Sequence, residues 1–168
     1  MRTIVIALLV LAVTLLGPAS AWADEPLAPG ATLPDFIETT VGGKPCDSAS
    51  LRGHGVLVWF TNFSQGAYEA LPTLVTACGR RPAVRLVIVS LDGAFDSRAK
   101  HFADQFSLHE QTALDADGST VRRFSGTFME GVVPLYNLFL FDSNGKMTAR
   151  FHCPGVVPAE LERQIQRL

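Results

Sequence analysis

Two runs of apolar and β-branched residues occupy the middle of the chain. They are Gly55–Thr61, with the sequence GVLVWFT, and residues 85–91, with the sequence RLVIVSL. Short apolar runs bounded by turn residues are typical of strands that are buried on both faces of a sheet. Between the runs, apolar side chains recur at helical spacing over residues 65–78, so the pattern predicts a helix between two buried strands.

The same patterns predict the other elements. Residues 35–40 and 44–51 flank Val41-Gly42-Gly43 and predict an N-terminal β-hairpin. Further helices are predicted over 96–106, 119–124 and 158–168, and further strands over 138–141 and 146–153. This alternation predicts an α/β fold with a mixed central sheet and helices on both faces. On the last strand, alternation places four side chains on one face: Met147, Ala149, Phe151 and Cys153.

The first residues have the features of an export signal. Arg2 precedes an apolar run over 4–16, and Ala21-Trp22-Ala23 supplies the small residues of a cleavage site. We therefore predict a signal peptide over 1–23, a mobile lead-in over 24–32 and one domain over 33–168. The apolar run is shorter than the roughly 20 residues of a membrane span, so we expect a periplasmic or secreted protein without a span after cleavage.

The charge of the chain argues against nucleic acid as a partner. The formal net charge is −2 at pH 7, and the basic pairs Arg80-Arg81 and Arg122-Arg123 are short. Binding to phosphates requires a clustered positive surface, which this pattern does not supply.

Three cysteines, Cys46, Cys78 and Cys153, are present, and no two of them form a C-x-x-C pair. An odd number allows at most one internal disulfide bond, which an oxidising compartment would preserve. The sequence leaves open which two would pair. Cys78 and Cys153 fall on apolar stripes and are expected in the core, whereas Cys46 follows Pro45 and is expected to be the most exposed.

The segment WFTNFSQGAYEALP, residues 59–72, has the layout of an active site without its reactive group. A buried strand ends and a helix begins, and such a helix start lowers the pKa of a cysteine placed there. The segment contains no Cys, His or Asp. Ser64 belongs to the preferred N-cap residue types, so we predict that it caps the helix; as a nucleophile it would need an adjacent base, and no histidine is near it in sequence.

Short motifs elsewhere follow one another in a recognisable order. They are Leu33-Pro34-Asp35-Phe36, the strand end Trp59-Phe60, Val89-Ser90-Leu91-Asp92, residues 114–118 (LDADG) and residues 139–146 (FLFDSNGK). In this order they resemble the thioredoxin-like superfamily, specifically its exported redoxin branch of thiol-disulfide oxidoreductases and peroxiredoxins. The resemblance covers residues 30–168 and implies a thioredoxin-like fold.

The resemblance also identifies two substituted positions. In ungapped register with the C-x-x-C motif of the oxidoreductases, Ser64 and Ala67 replace the cysteines, with Gln65 and Gly66 between them. In register with the peroxiredoxin motif, Ala67 replaces the peroxide-reacting cysteine. A serine hydroxyl is too weakly acidic for a helix terminus to ionise, and alanine has nothing to ionise.

A second departure precedes the strand Leu138–Phe141. Relatives carry a cis-proline there, facing the active site, whereas in the same register this chain has Tyr136. Val133-Pro134 resembles the motif but lies two residues earlier. X–Pro bonds tolerate the cis form, so the sequence leaves the isomer of this bond open.

These substitutions favour a binding or assembly module over an enzyme, and no catalytic residue, cofactor or metal is expected. The resemblance places the binding surface in the groove between the helix start and residues 132–137, where the substrate chains of relatives lie. The expected partner is a periplasmic protein or peptide. Aromatic side chains could line this groove: Phe60, Phe63, Tyr68 and Tyr136. For Phe60 and Phe63 the sequence leaves packing in the core open as the alternative.

The cysteines and His152 leave two other interpretations open. The first is an active oxidoreductase or peroxidase that uses a relocated Cys46, Cys78 or Cys153. The second is a copper site, since sulfur and imidazole ligands suit copper. On the predicted strand, however, His152 alternates to the face opposite Met147 and Cys153, which argues against a metal.

Overall fold

A mixed β-sheet forms the centre of the protein in a computed structural model that describes residues 25–92 and 96–168. Within those residues the strands are β1 (Ile37–Thr40), β2 (Pro45–Asp47), β3 (Gly55–Thr61), β4 (Val84–Ser90), β5 (Thr112–Leu114), β6 (Leu138–Phe141) and β7 (Met147–Phe151). The helices are α1 (Gln65–Gly79), α2 (Asp96–Phe106), α3 (Ser119–Ser125) and α4 (Pro158–Ile165), and a 3-10 turn spans Ser48–Leu51. The predicted signal peptide lies outside the described residues.

The strand order is β2-β1-β5-β4-β3-β6-β7. The pairs β3·β4 and β4·β5 are parallel, whereas β1·β2, β1·β5, β3·β6 and β6·β7 are antiparallel. The predicted mixed sheet and N-terminal hairpin are therefore confirmed. The hydrophobic pattern does not predict strand β5, because three residues are too few to show a hydrophobic period.

Helices cover both faces of the sheet, as predicted. On one face α1, α2 and α4 pack with Leu57 and Trp59 of β3, and on the other face α3 packs with Val56, Val58 and Phe60. Alternate side chains of β3 thus enter two separate apolar layers, which is why every position of the strand is buried. Because β3 is buried along its whole length, its end at Thr61 determines where the following helix α1 can begin.

Strand β7 departs from the predicted alternation. Met147 packs in the layer of α3, whereas Ala149 and Cys153 pack in the layer of α1. The register pairs Leu140 with Ala149 but Phe141 with Met147, so β7 carries one extra residue at this point. Such a β-bulge reverses the facing of the residues before it, and the prediction of one shared face was wrong.

The described part of the lead-in runs beside β7. The Gly30 N–H donates to the Met147 carbonyl at 2.7 Å, and the Met147 N–H donates to the Ala31 carbonyl at 2.8 Å. The Leu27 N–H donates to the Phe124 carbonyl at 2.8 Å, and Arg150 Nη1 donates to the Pro26 carbonyl at 3.1 Å. Mobility of residues 24–32 stays a prediction. Across the described ranges, no helix has the length and apolar character needed to traverse a bilayer.

Candidate binding site at the start of α1

Asn62 organises the passage from β3 to α1. Its Oδ1 accepts from the Ser64 N–H at 3.3 Å, and its Nδ2 donates to the Gly131 carbonyl at 2.8 Å. The next residue, Phe63, is held at φ 52°, a conformation uncommon for residues other than glycine. The side chain of Asn62 therefore joins the helix start to the loop formed by residues 127–136, here called the 127–136 loop.

Ser64 occupies the N-cap position of α1, but its hydroxyl forms no capping hydrogen bond. Its backbone carbonyl accepts from the Ala67 N–H at 2.8 Å. The first-turn amide that a serine side chain would cap is thereby already satisfied, so the predicted capping role of the hydroxyl was wrong. The Ser64 side chain is left exposed to solvent.

Ser64 and Ala67, the two positions predicted to replace the cysteines, have different surroundings. Ser64 faces solvent, whereas Ala67 is buried with Leu71 and Leu74 in the layer of α1. Pro72 lies within the helix on an exposed turn. A ligand at the helix start would therefore contact Ser64 but not Ala67.

Residues 153–156 flank the first turn of α1. A Cβ on Gly66 would lie 2.9 Å from Cγ of Pro154, closer than atoms pack, so glycine permits this approach. The Cys153–Pro154 bond is cis, and it is the one cis bond within residues 25–92 and 96–168. Val133–Pro134 is therefore trans, which answers the question that the sequence left open.

The side chain of Asn137 joins residues 153–156 to the end of β3 by hydrogen bonds. It is fully buried, and its Nδ2 donates to the carbonyls of Phe60 at 2.9 Å and Cys153 at 2.7 Å. Its Oδ1 accepts from the Cys153 N–H at 2.7 Å. The sequence indicates Asn137 only as the last residue of the groove loop. Its position directly before an apolar strand is the one sequence feature that points to a structural role.

Tyr136, at the position predicted to correspond to the relatives' cis-proline, is half-buried beneath a cation. The Arg150 guanidinium lies 4.0 Å from the centre of its ring, a favourable cation–π distance. The same guanidinium donates to the carbonyls of Pro26 and Leu27. Tyr136 is thus tied to β7 and the lead-in, while the neighbouring Leu135 side chain is 73% exposed.

The aromatic lining predicted for the groove is largely absent. Phe60 and Phe63 are buried in the core, so of the two alternatives that the sequence left open for them the structure favours core packing over the groove. Tyr68 packs against Phe102 and Phe106, with ring centres 5.1 and 5.7 Å away. Both phenylalanines are buried because strand burial continues to the end of β3 and the left-handed turn directs Phe63 inward.

The three cysteines are free thiols. Cys46 packs in the layer of α3, and Cys78 and Cys153 pack in the layer of α1. Burial raises the pKa of Cys78 to about 12 and that of Cys153 to about 11. Burial, with added repulsion from Glu38 and Asp47, raises the pKa of Cys46 to about 11. All three therefore favour the protonated, unreactive thiol at neutral pH.

Asp92, directly after β4, is a buried carboxylate, although the sequence indicates it only as part of the motif Val89-Ser90-Leu91-Asp92. Its Oδ1 accepts from Arg98 Nη2 at 2.8 Å, and its Oδ2 has no partner among the described atoms. Burial raises the pKa of Asp92, Arg98 opposes that shift, and Glu130 adds to it. Asp92 and Glu130 thus place negative charge beside the 127–136 loop.

The copper interpretation does not fit the structure. Met147 and Cys153 lie in different layers of the sheet, and His152 is exposed. In the part of the chain that the structure describes, no group of three or more His, Cys, Asp or Glu residues is placed to hold a metal ion.

Comparison with known protein families identifies the family to which the domain belongs. The family model described as the AhpC/TSA family matches residues 29–150, well over half of the chain. The chain belongs to the AhpC/TSA family. This membership confirms the redoxin resemblance that the short motifs predicted.

Relatives of this AhpC/TSA-family protein act on thiols and disulfides. Thiol-disulfide oxidoreductase ResA of Bacillus thuringiensis is 26% identical over 127 residues, which cover 74% of this chain and 69% of ResA. A secreted Mycobacterium tuberculosis disulfide oxidoreductase homologous to Escherichia coli DsbE is 25% identical, with a TM-score of 0.63 over 80% of this chain and 96% of that chain. A thioredoxin-family thiol:disulfide interchange protein from Chlorobium tepidum has a TM-score of 0.66 at 21% identity, over 84% of this chain and 97% of that chain, and shows the same fold.

Proposed function

We propose that this AhpC/TSA-family protein is an exported binding or assembly module that has lost dithiol exchange at the start of α1. One observation carries the proposal: exposed apolar side chains crowd the 127–136 loop, which is hydrogen-bonded to a helix start where Ser64 and Ala67 replace both cysteines. The named relatives are oxidoreductases. In this chain the two residues predicted to correspond to their C-x-x-C cysteines, Ser64 and Ala67, carry no sulfur.

The 127–136 loop supplies the docking surface. Met129, Val132 and Leu135 are 67%, 50% and 73% exposed. The Gly131 N–H donates to the Leu91 carbonyl at 2.8 Å, and the Val132 N–H donates to the Met129 carbonyl at 3.0 Å, so the loop is held against the end of β4. Exposed apolar groups on an anchored loop are typical of protein interaction sites.

The negative charge of Glu130 indicates which kind of side chain the partner should carry. Glu130 is exposed between Met129 and Gly131, and its carboxylate acts on buried Asp92. A basic side chain in the partner would relieve this repulsion. The occupant is therefore an extended segment of another exported protein, with apolar side chains for Met129 and Leu135 and a lysine or arginine for Glu130.

A relocated thiol is the second candidate, and Cys153 is the residue that favours it. Cys153 lines a cavity of about 180 Å³ between α1 and residues 153–156. Its raised pKa opposes this role, because little thiolate forms at neutral pH. A binding role without thiol chemistry agrees better than a relocated thiol with the exposed loop side chains and with the raised pKa of Cys153.

The test is site-specific photo-crosslinking in the periplasm, followed by binding measurements with the purified partner. A crosslinker at Leu135 is compared with one at Ile37, which is equally exposed but lies on β1. We expect one dominant crosslinked protein at Leu135 and none at Ile37. Leu135→Ser should then weaken binding about tenfold, as expected for one buried apolar contact, and Ile37→Ser should not. Equal crosslinking at both positions, or unchanged binding by Leu135→Ser, would refute the proposal.

A further inference from the structure

We infer that the protein has a second binding site, for a small organic carboxylate, at the end of the sheet opposite the start of α1. A cavity of about 390 Å³ lies there, with Val56 near the beginning of β3 among its lining residues. From Val56 to Thr61, the last residue of β3 before α1, the strand covers a distance of roughly 15–20 Å at the rise of a strand. This site is therefore separate from the 127–136 loop and does not depend on the proposed function.

Three chain segments form the walls of the cavity, and hydrogen bonds join each wall to the others. The Gly53 N–H, after the 3-10 turn, donates to the Ser143 carbonyl of the β6–β7 turn at 3.2 Å. The Leu33 N–H donates to the Gly145 carbonyl of the same turn at 2.8 Å. The Phe36 N–H donates to Ser48 Oγ at 3.0 Å. The cavity is thus held open by its own backbone, and binding would require little rearrangement.

The lining combines an apolar base with one cationic side chain. Leu33, Leu51 and Val56 supply the apolar base, and the exposed Arg52 supplies the positive charge beside His54. Arg52 forms only a long ion pair with Asp35, at 3.6 Å between two well-exposed side chains. Exposed pairs of this kind contribute little, so the guanidinium is available for a ligand.

These groups select an anion with an apolar body. Asp35 is the one acidic side chain among the lining residues of this described cavity, and Lys146 is close by because its Nζ donates to Thr32 Oγ1 at 2.8 Å. The nearby Asp142 carboxylate accepts from the Asn144 and Lys146 N–H groups and does not line the cavity. A planar guanidinium pairs well with a carboxylate, and the apolar base would cover a short hydrocarbon or aromatic group.

Three probes separate the contributions of charge and apolar surface. Benzoate carries both features, benzamide lacks the charge, and acetate lacks the apolar body. Each is titrated up to about 10 mM into isotope-labelled purified protein, because a fragment in a built cavity binds in the millimolar range or tighter. We expect benzoate to shift the backbone amide signals of Arg52, His54 and Asn144 saturably, and the other two probes to bind at least fivefold more weakly.

Variants locate the site. Arg52→Gln should weaken benzoate binding at least fivefold, because it removes a charge-assisted hydrogen bond. Arg167→Gln removes an exposed arginine near the C-terminus, outside the cavity, and should leave binding unchanged. Spectra of both variants report their folding directly. The inference fails if benzoate produces no saturable shift at these amides, if benzamide binds equally well, or if Arg52→Gln binds like the unmodified protein. None of these outcomes bears on the docking surface of the 127–136 loop.

Discussion

The ring of Pro154 lies against Gly66, close enough that a single added methyl group at residue 66 would stand 2.9 Å from the proline Cγ. This contact links the first turn of α1 to the segment that follows β7. The helix start is therefore crowded on this side, and the side of the 127–136 loop is left for a partner.

Substitution of Gly66 tests that contact. Gly66→Ala gains helix propensity but must displace the Pro154 ring, whereas Gly79→Ala, in the same helix, meets no atom within 4 Å. We expect Gly79→Ala to be neutral or stabilising by up to about 1 kcal/mol, and Gly66→Ala to be about 1–2 kcal/mol less stable than Gly79→Ala. Urea unfolding measures both. Equal stability of the two variants would show that the proline moves freely.

Asn137 is expected to be a structural residue of the site. Asn137→Ala leaves the buried carbonyls of Phe60 and Cys153 and the Cys153 N–H without their side-chain partner. The expected loss is about 2–4 kcal/mol in the free energy of unfolding. Asn144→Ala, on an exposed turn, is the control and should change stability by less than about 0.5 kcal/mol. A loss at Asn137 no larger than at Asn144 would contradict the described network.

Asp92 gives the protein a testable pH dependence. Burial raises its pKa above the ordinary value of 3.8, so the folded state holds the proton more tightly than the unfolded state. The resulting contribution to stability is present below pH 3.8 and is lost as the pH rises through the raised value. Asp92→Asn should therefore lose less stability than the unmodified protein as the pH rises above 3.8.

Asp117 is the matched control for this measurement, because its shift has the opposite sign. Hydrogen bonds from Ser119 lower the pKa of this exposed carboxylate, so its contribution is present above pH 3.8 and is lost as the pH falls. Asp117→Asn should remove that loss. If both variants change the pH profile of urea unfolding in the same direction, the assignment to Asp92 is wrong.

Much of the fold could be predicted from the sequence, because long apolar periods survive in the strands and helices of the core. The failures have local causes. Thr148 adds one residue to β7, and a single extra residue reverses which side chains face which layer. Strand β5 is too short to show a period.

The candidate site was only partly predictable. The substituted positions Ser64 and Ala67 follow from the motif, but their exposure depends on the turn at Phe63, which has φ 52°. The cis bond before Pro154 and the side-chain bridge of Asn62 to Gly131 depend on contacts between distant segments. The apolar docking residues Met129 and Leu135 lie in a loop without periodicity, so pattern reading gave no signal for them.

Thiol titration distinguishes a structural bridge from free cysteines. With Cys46, Cys78 and Cys153 all unpaired, a disulfide-exchange reagent should detect three thiols in the unfolded protein, with or without prior reduction. The native protein should react slowly at neutral pH, because burial raises all three pKa values to about 11 or 12. Recovery of two thiols only after reduction would show a disulfide bond. Rapid reaction of one thiol at neutral pH would favour a relocated active site.

We propose that this redoxin domain no longer carries out dithiol exchange. The most direct measurement is the rate of insulin reduction by dithiothreitol, with and without the purified protein. We predict a rate equal to the uncatalysed background, for the unmodified protein and for Ser64→Ala alike. An accelerated rate that persists in Ser64→Ala would contradict the claim and assign the activity to a cysteine elsewhere in the fold.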